Sequence, residues 1–348
     1  MRSLHLLLLP LCALLFANCA TPSGGPAPAS RLATLRSLGY TPLKLDRASR
    51  DQRYSGRFHV NATPVRFLID SGANSTDLDL DIALRAGIKP SKELKVISRG
   101  ALGRPVTSQV GMGMLTAGQV SAAPFAFMLA PATSHHTATS RYDGQMGLDA
   151  LGGLGSLIDI PSGQLWLPGP TSPNNTPQGI LPLGVQRGLG YDALPLTRAG
   201  RLPHLILESS WNGNRLTWVV DSGAEVTVLS HAAASRLRIP STQTRTNIID
   251  ASGDHAPISV ARIENLRFRS LLVSEFQVAV TDLSTVRKHF RDSNGRSVDG
   301  ILGMDFLTES NALLDSASRL LYIGQPSIRI APKSRSLRSL RAVHVPLR

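Results

Sequence analysis

The chain has 348 residues, 42% of them apolar and 18% charged, with a formal net charge of +13. That length predicts two to three domains, and the composition excludes wholesale disorder, collagen and coiled coil. The surplus of Lys and Arg points to an anionic neighbour, membrane or polymer, without specifying a fold, and the two cysteines, Cys12 and Cys19, leave the rest of the chain without a disulfide or a thiolate metal site.

Residues 1–19 read as an export signal. Arg2 is followed by an apolar stretch from Leu4 to Ala17 that is too short to span a bilayer comfortably. Its end, Leu15-Phe16-Ala17-Asn18-Cys19, resembles a lipobox, which implies acylation of Cys19, although Phe16 and Asn18 depart from the usual pattern. Residues 20–39 begin with a Pro-, Gly- and Ser-rich run and are expected to form a flexible tether. Lipid anchoring in a bacterial-type envelope is expected on this reading; plain secretion is the alternative. No later stretch has the length and apolarity of a transmembrane helix.

The remainder is organised by an internal repeat. Phe67-Leu68-Ile69-Asp70-Ser71-Gly72-Ala73 reappears as Trp218-Val219-Val220-Asp221-Ser222-Gly223-Ala224. Later in each copy, Asp143-Gly144-Gln145-Met146-Gly147-Leu148-Asp149 matches Asp299-Gly300-Ile301-Leu302-Gly303-Met304-Asp305. The copies are placed at 40–167 and 181–325, joined by a Pro- and Asn-rich linker at 168–180 and followed by a basic tail at 326–348. Short runs of Val, Ile, Leu and Phe separated by Gly and Asn turns make each copy mostly β, with a short helix after each Asp-Ser-Gly-Ala tetrad, at 80–88 and 230–240.

Asp70 and Asp221 each follow an apolar strand, and Gly72 and Gly223 allow the chain to turn sharply there. Either aspartate alone is readable as an Asx turn. Two such loops meeting on a pseudo-twofold axis bring two carboxylates face to face, where they share a proton. One then serves as general base on a water while the other, protonated, polarises a carbonyl. Ser71 and Ser222 are placed to hydrogen-bond across to the opposite loop.

These motifs resemble those of the retropepsin-like aspartic proteases, which carry Asp-Thr/Ser-Gly-Ala and, later, an apolar-apolar-Gly motif. Ile301-Leu302-Gly303 fits that motif; Gln145-Met146-Gly147 departs from it at Gln145. The resemblance implies a bilobal acid-protease fold of two retropepsin-like β-barrel copies on one chain, with Asp70 and Asp221 catalytic and Ser71, Gly72, Ala73, Ser222, Gly223 and Ala224 in the active-site loops. It also implies flaps, with Gly100 and Gly103 at one tip and Ser252 and Gly253 at the other. The expected activity is aspartic endopeptidase on a peptide or protein substrate, without cofactor or metal. The rival from another class is a peptide-binding lipoprotein that keeps the cleft without catalysis. A monomer with pseudo-dimeric lobes is expected; pairing of each copy with its twin on another chain is the alternative.

Other polar residues receive structural readings. Asp149 and Asp305 are expected to cap or stabilise turns, and Asp159 and Asp315, which precede loops near each copy's last strand, are expected to be structural. Asp77, Asp79 and Asp81 are expected on a charged helix face, and His135-His136 in a solvated loop. The basic tail is expected to be solvated and to favour an anionic membrane surface. No nucleic-acid-binding motif is present.

Overall fold

The structure is a computed structural model describing residues 28–47, 52–130, 142–169, 186, 189–324, 327–330 and 342–345. Cys19, the linker 170–180 and His135-His136 lie outside these residues.

The duplication in the sequence becomes two mixed sheets built to one plan. In the first copy the strand order is Asp46–Arg47, Tyr54–Val60, Thr63–Ile69, Gly144–Met146, Asp77–Asp79, Val120–Ala130, Pro105–Ala117, Pro90–Arg99. In the second it is Thr197–Ala199, Leu202–Trp211, Asn214–Val220, Gly300–Leu302, Val228–Ser230, Leu271–Thr281, His255–Phe268, Ser241–Asp250. The fold is therefore bilobal, pseudo-duplicated and mostly β, as expected. Residues 205–207 and 216–220 belong to one hairpin, turned at Asn212-Gly213.

Each lobe closes over apolar side chains from both faces of its sheet. Phe58, Phe67 and Phe127 fill the first; Trp218, Phe268, Phe276 and Phe306 fill the second, and all are fully buried. In the second lobe the Phe268 and Phe306 ring centroids lie 4.8 Å apart, within the range that favours tilted aromatic pairs.

A third, six-stranded sheet draws on both copies. Its order is Tyr40–Lys44, Gln164–Pro168, Leu157–Asp159, Leu313–Asp315, Leu320–Ile323, Asp192–Pro195. At its centre Ile158 pairs with Leu314 across antiparallel strands from the two copies. Backbone hydrogen bonds thus run continuously from one lobe into the other.

Three expectations are corrected. Residues 20–39 are not flexible tether throughout, because Pro28–Ser37 is a helix docked on the six-stranded sheet. Pro28 suits a first helical position, and Leu35 is fully buried in a cluster that also holds Trp166 and Tyr322. Arg31 from this helix forks onto Asp159, with Nε and Nη2 each 3.1 Å from a carboxylate oxygen, and donates through Nη1 to Tyr191 Oη at 2.9 Å. The tail at 326–348 is not wholly solvated: Ser327–Ile330 pairs in parallel with Leu271–Thr281, and Ala342–Val345 pairs in parallel with Asn247–Asp250. Asp77 and Asp79 are buried strand residues rather than a helix face; only Asp81 lies on the helix Leu80–Arg85, and it is exposed. The strand Asp77–Asp79 is covered on both faces, so polar alternation gives no warning of it. Asp77 Oδ1 accepts the Gln145 N–H at 3.0 Å.

Among the described residues no helix is long and apolar enough to cross a membrane.

Candidate active site

Each tetrad sits where a central strand ends. Phe67–Ile69 runs parallel to Gly144–Met146, and Trp218–Val220 runs parallel to Gly300–Leu302. The ladder continues one residue further: the Asp70 N–H donates to Met146 O at 3.0 Å and the Asp221 N–H to Leu302 O at 2.9 Å. The chain then turns back, with Asp70 Oδ1 accepting the Gly72 N–H at 2.7 Å and Asp221 Oδ1 accepting the Gly223 N–H at 2.8 Å. The Asx turn and the facing carboxylates are thus the same structure, since the turn is what aims the side chain.

The loops lock into each other through the serines. Ser71 N donates to Ser222 Oγ at 3.0 Å and Ser222 N to Ser71 Oγ at 2.9 Å. Each hydroxyl donates in turn to the opposite strand, Ser71 Oγ to Val220 O and Ser222 Oγ to Ile69 O, both at 2.9 Å. Four buried hydrogen bonds therefore join the lobes at the bottom of the cleft. The glycines are required by the same approach. A Cβ on Gly223 would lie 2.5 Å from Asp70 Cγ, and one on Gly72 would lie 2.5 Å from both Asp221 carboxylate oxygens.

The late motif braces each loop from behind. Thr76 Oγ1 accepts the Gly147 N–H at 3.1 Å and donates to Asp149 Oδ1 at 2.7 Å; Thr227 does the same with Gly303 and Asp305, at 3.1 and 2.7 Å. Asp149 and Asp305 also accept the N–H of Thr76 and Thr227. Their part is to brace the turn, in keeping with the structural reading. Burial pushes Asp305 up to about 6 despite these bonds.

Asp70 and Asp221 are both fully buried and interact directly. Burial raises Asp70 well above the ordinary carboxylate range, and the charge of Asp221 raises it further. Burial raises Asp221 to about 6, opposed by hydrogen bonding with Asp70, by the N–H groups of Gly223 and Ala224, and by the Arg53 cation. Among the described residues, Asp221 Oδ2 takes no hydrogen bond. Two carboxyls so placed hold one proton between them over a wide pH range, and coupled titrations belong to the pair. No group of three or more His, Cys, Asp or Glu among the described residues is arranged to hold a metal ion.

Two basic residues carry no motif and are met only in three dimensions. His204 Nε2 donates to Gly72 O at 2.9 Å, with the buried ring edge-on to Phe290 at 4.2 Å. Arg53 occupies the corresponding place in the first copy, 151 positions earlier, the same offset that separates Ser71 from Ser222. It is buried, with Nη2 3.8 Å from Glu225 Oε1 just beyond the second tetrad. Each lobe therefore presses one basic side chain against the other lobe's loop.

The residues expected at flap tips do end two long hairpins. Pro90–Arg99 pairs with Pro105–Ala117, and Ser241–Asp250 pairs with His255–Phe268. Gly103 and Gly253 both have positive φ, +104° and +80°, at the turns. The tips meet through Asp250. Its Oδ1 accepts from Ser252 N, Ser252 Oγ and Asp254 N within its own turn, while Oδ2 accepts the Leu102 N–H of the other hairpin at 2.8 Å. Gly100 packs flat on that carboxylate, leaving no room for a Cβ. Below the first hairpin lies a cavity of about 280 Å³ bounded by Ser75, Val96, Ile97, Met128, Leu202 and Phe290.

A family profile described as "Aspartyl protease" matches residues 57–150 and again 207–306. No curated protein matches the chain. Among solved structures, conglutin gamma from lupine seeds is similar at 12% identity and a TM-score of 0.45, covering 82% of this chain and 95% of that one. Basic 7S globulin from soybean is similar at 10% and 0.44, covering 83% and 95%. An aspartic proteinase from Irpex lacteus is similar at 15% and 0.44, covering 82% and 96%.

Proposed function

Because this chain belongs to the aspartyl protease family, we propose that it is an endopeptidase in which Asp70 and Asp221 activate one water between them. The observation that carries this reading is the pair of fully buried, directly interacting carboxyls, each from one lobe, both raised by burial. In the monoprotonated pair, the ionised carboxyl takes a proton from water as the water attacks the scissile carbonyl. The protonated one donates a hydrogen bond to the carbonyl oxygen as charge develops there. The proton then passes to the leaving nitrogen, and the dyad returns to its starting charge.

An extended peptide fits between the tetrads and the hairpins, with backbone pairing supplying affinity and side-chain pockets supplying selectivity. The cavity beside Val96, Ile97, Met128, Leu202 and Phe290 accepts a large apolar side chain. Closure depends on Asp250. Asp250→Ala removes the acceptor for Leu102 N and the brace of its own turn. It is expected to raise KM by about tenfold, as the loss of one hydrogen bond to a charged group implies. Steady-state kinetics on a fixed peptide check this, and an unchanged KM would remove the latch from the mechanism.

Export with a lipid anchor at Cys19 belongs to the same proposal, supported by the apolar stretch and lipobox-like end of residues 1–19. The whole reading is tested by incubating the full chain with a mixed peptide library across acidic to neutral pH and sequencing the products. Internal cleavage beside apolar residues is expected. Measurable peptide affinity without cleavage would turn the reading to the peptide-binding alternative.

A further inference from the structure

The two halves of the site correspond contact for contact at the serines, the turn glycines and the bracing threonines. Among the described side chains that hydrogen-bond to Asp70 or Asp221 from the late motif, they differ at one position. Two residues before the late glycine, the first copy has Gln145 and the second Ile301. Gln145 is 2% exposed and its Nε2 donates to Asp70 Oδ2. Ile301 is fully buried in an apolar cluster that includes Val219 and Val228. A buried amide in the place of an isoleucine is costly unless its donors find acceptors.

We propose that Gln145 is a positioning residue that makes the pair unequal, fixing Asp70 through a donor that Asp221 lacks at the corresponding place. The inference rests on the endopeptidase reading for its kinetic consequence but not for its chemical one. The groups around the pair are few. Asp70 meets Asp221, the Gly72 N–H and Gln145, with Asp77 at longer range. Asp221 meets Asp70, the N–H groups of Gly223 and Ala224, and the field of Arg53. The backbone N–H of Gln145 is tied separately to Asp77 Oδ1 at 3.0 Å, so a change of side chain leaves the strand's own bond in place.

A neutral N–H donor favours the charged form of the carboxyl it reaches. Removing it makes Asp70, the member that burial and the Asp221 charge raise further, hold its proton more tightly. Gln145→Ile, which copies the residue of the other half, is therefore expected to move the alkaline limb of the kcat–pH profile upward by about one pH unit. Ile301→Gln, which gives Asp221 the donor instead, is expected to move the acid limb downward. Gln145→Met, of similar length and without a donor, should behave as Gln145→Ile does and serves if the β-branched residue does not fold.

A second readout requires no turnover. Carbon-13 carboxyl titration of the full chain labelled at aspartate is expected to show the Asp70 midpoint rising by about one unit in Gln145→Ile. Unmoved limbs and midpoints in a folded variant would overturn the inference. So would a loss of kcat that is equal at every pH, since that is the signature of a merely structural residue. A parent chain that cleaves nothing overturns the endopeptidase reading alone, because the carboxyl titration still reports on Gln145.

Discussion

Asp70→Asn and Asp221→Asn are each expected to lower peptide cleavage by about a thousandfold or more while leaving the chain folded. Neither carboxyl substitutes for the other, because one must take a proton while its partner gives one. The accompanying stability change has a definite sign. A carboxyl raised by burial binds its proton more tightly in the folded chain than in the unfolded one. Its contribution is complete below the ordinary value of 3.8 and is lost as pH rises through about 6 for Asp221. At neutral pH, keeping Asp221 ionised costs of the order of 3 kcal/mol. Asn removes that cost and still accepts the N–H groups of Gly223 and Ala224 through its own oxygen. Asp221→Asn should therefore gain several degrees in Tm above pH 6 and nothing below pH 4. Asp70→Asn should gain less, because its amide nitrogen meets the Gln145 amide. Calorimetry across that range checks both. Activity in either single variant, or a pH dependence of Tm that neither changes, would dissolve the dyad.

Arg31→Ala is expected to cost about 3–5 kcal/mol, as breaking a buried ion pair from one side does. Arg31 and Asp159 are both buried, and the guanidinium is the cation beside that carboxylate. Truncation leaves Asp159 charged among Trp166, Tyr191 and the apolar side chains of the six-stranded sheet. The double variant Arg31→Met, Asp159→Leu should recover part of the loss, since a buried pair replaced on both sides leaves no stranded charge. Recovery stays partial because Asp159 also accepts from Trp166 Nε1 and Ser162 N. Denaturant midpoints of the three chains measure this. An Arg31→Ala loss below about 1 kcal/mol would return residues 28–37 to the status of a tether.

What was legible in the sequence was what the repeat wrote twice. Asp70 and Asp221, their serines and glycines, and the late glycines each stand in a local string whose chemistry is visible without a neighbour. The flap tips were legible for a similar reason, since a turn between long strands needs glycine. Asp250 was not, because its importance lies in one bond to Leu102, 148 positions away. Arg53, His204 and Arg31 are of the same kind: single basic residues whose partners sit far along the chain. Asp77 and Asp79 were misplaced because a short strand covered on both faces leaves no alternation to read. The tail misled through composition, since charge counts report nothing about backbone pairing such as that of Ala342–Val345 with the second hairpin.

The six-stranded sheet has a consequence for how the two halves can change. A site shared by two identical chains dissolves on dilution and receives every mutation twice, once on each side. Here both lobes, and the pairing of Ile158 with Leu314 between them, belong to one chain. A single codon can then alter one side of the cleft and leave its mirror untouched. Gln145 in the place of Ile301, and Arg53 in the place of His204, are differences that a site built from two identical chains could not keep.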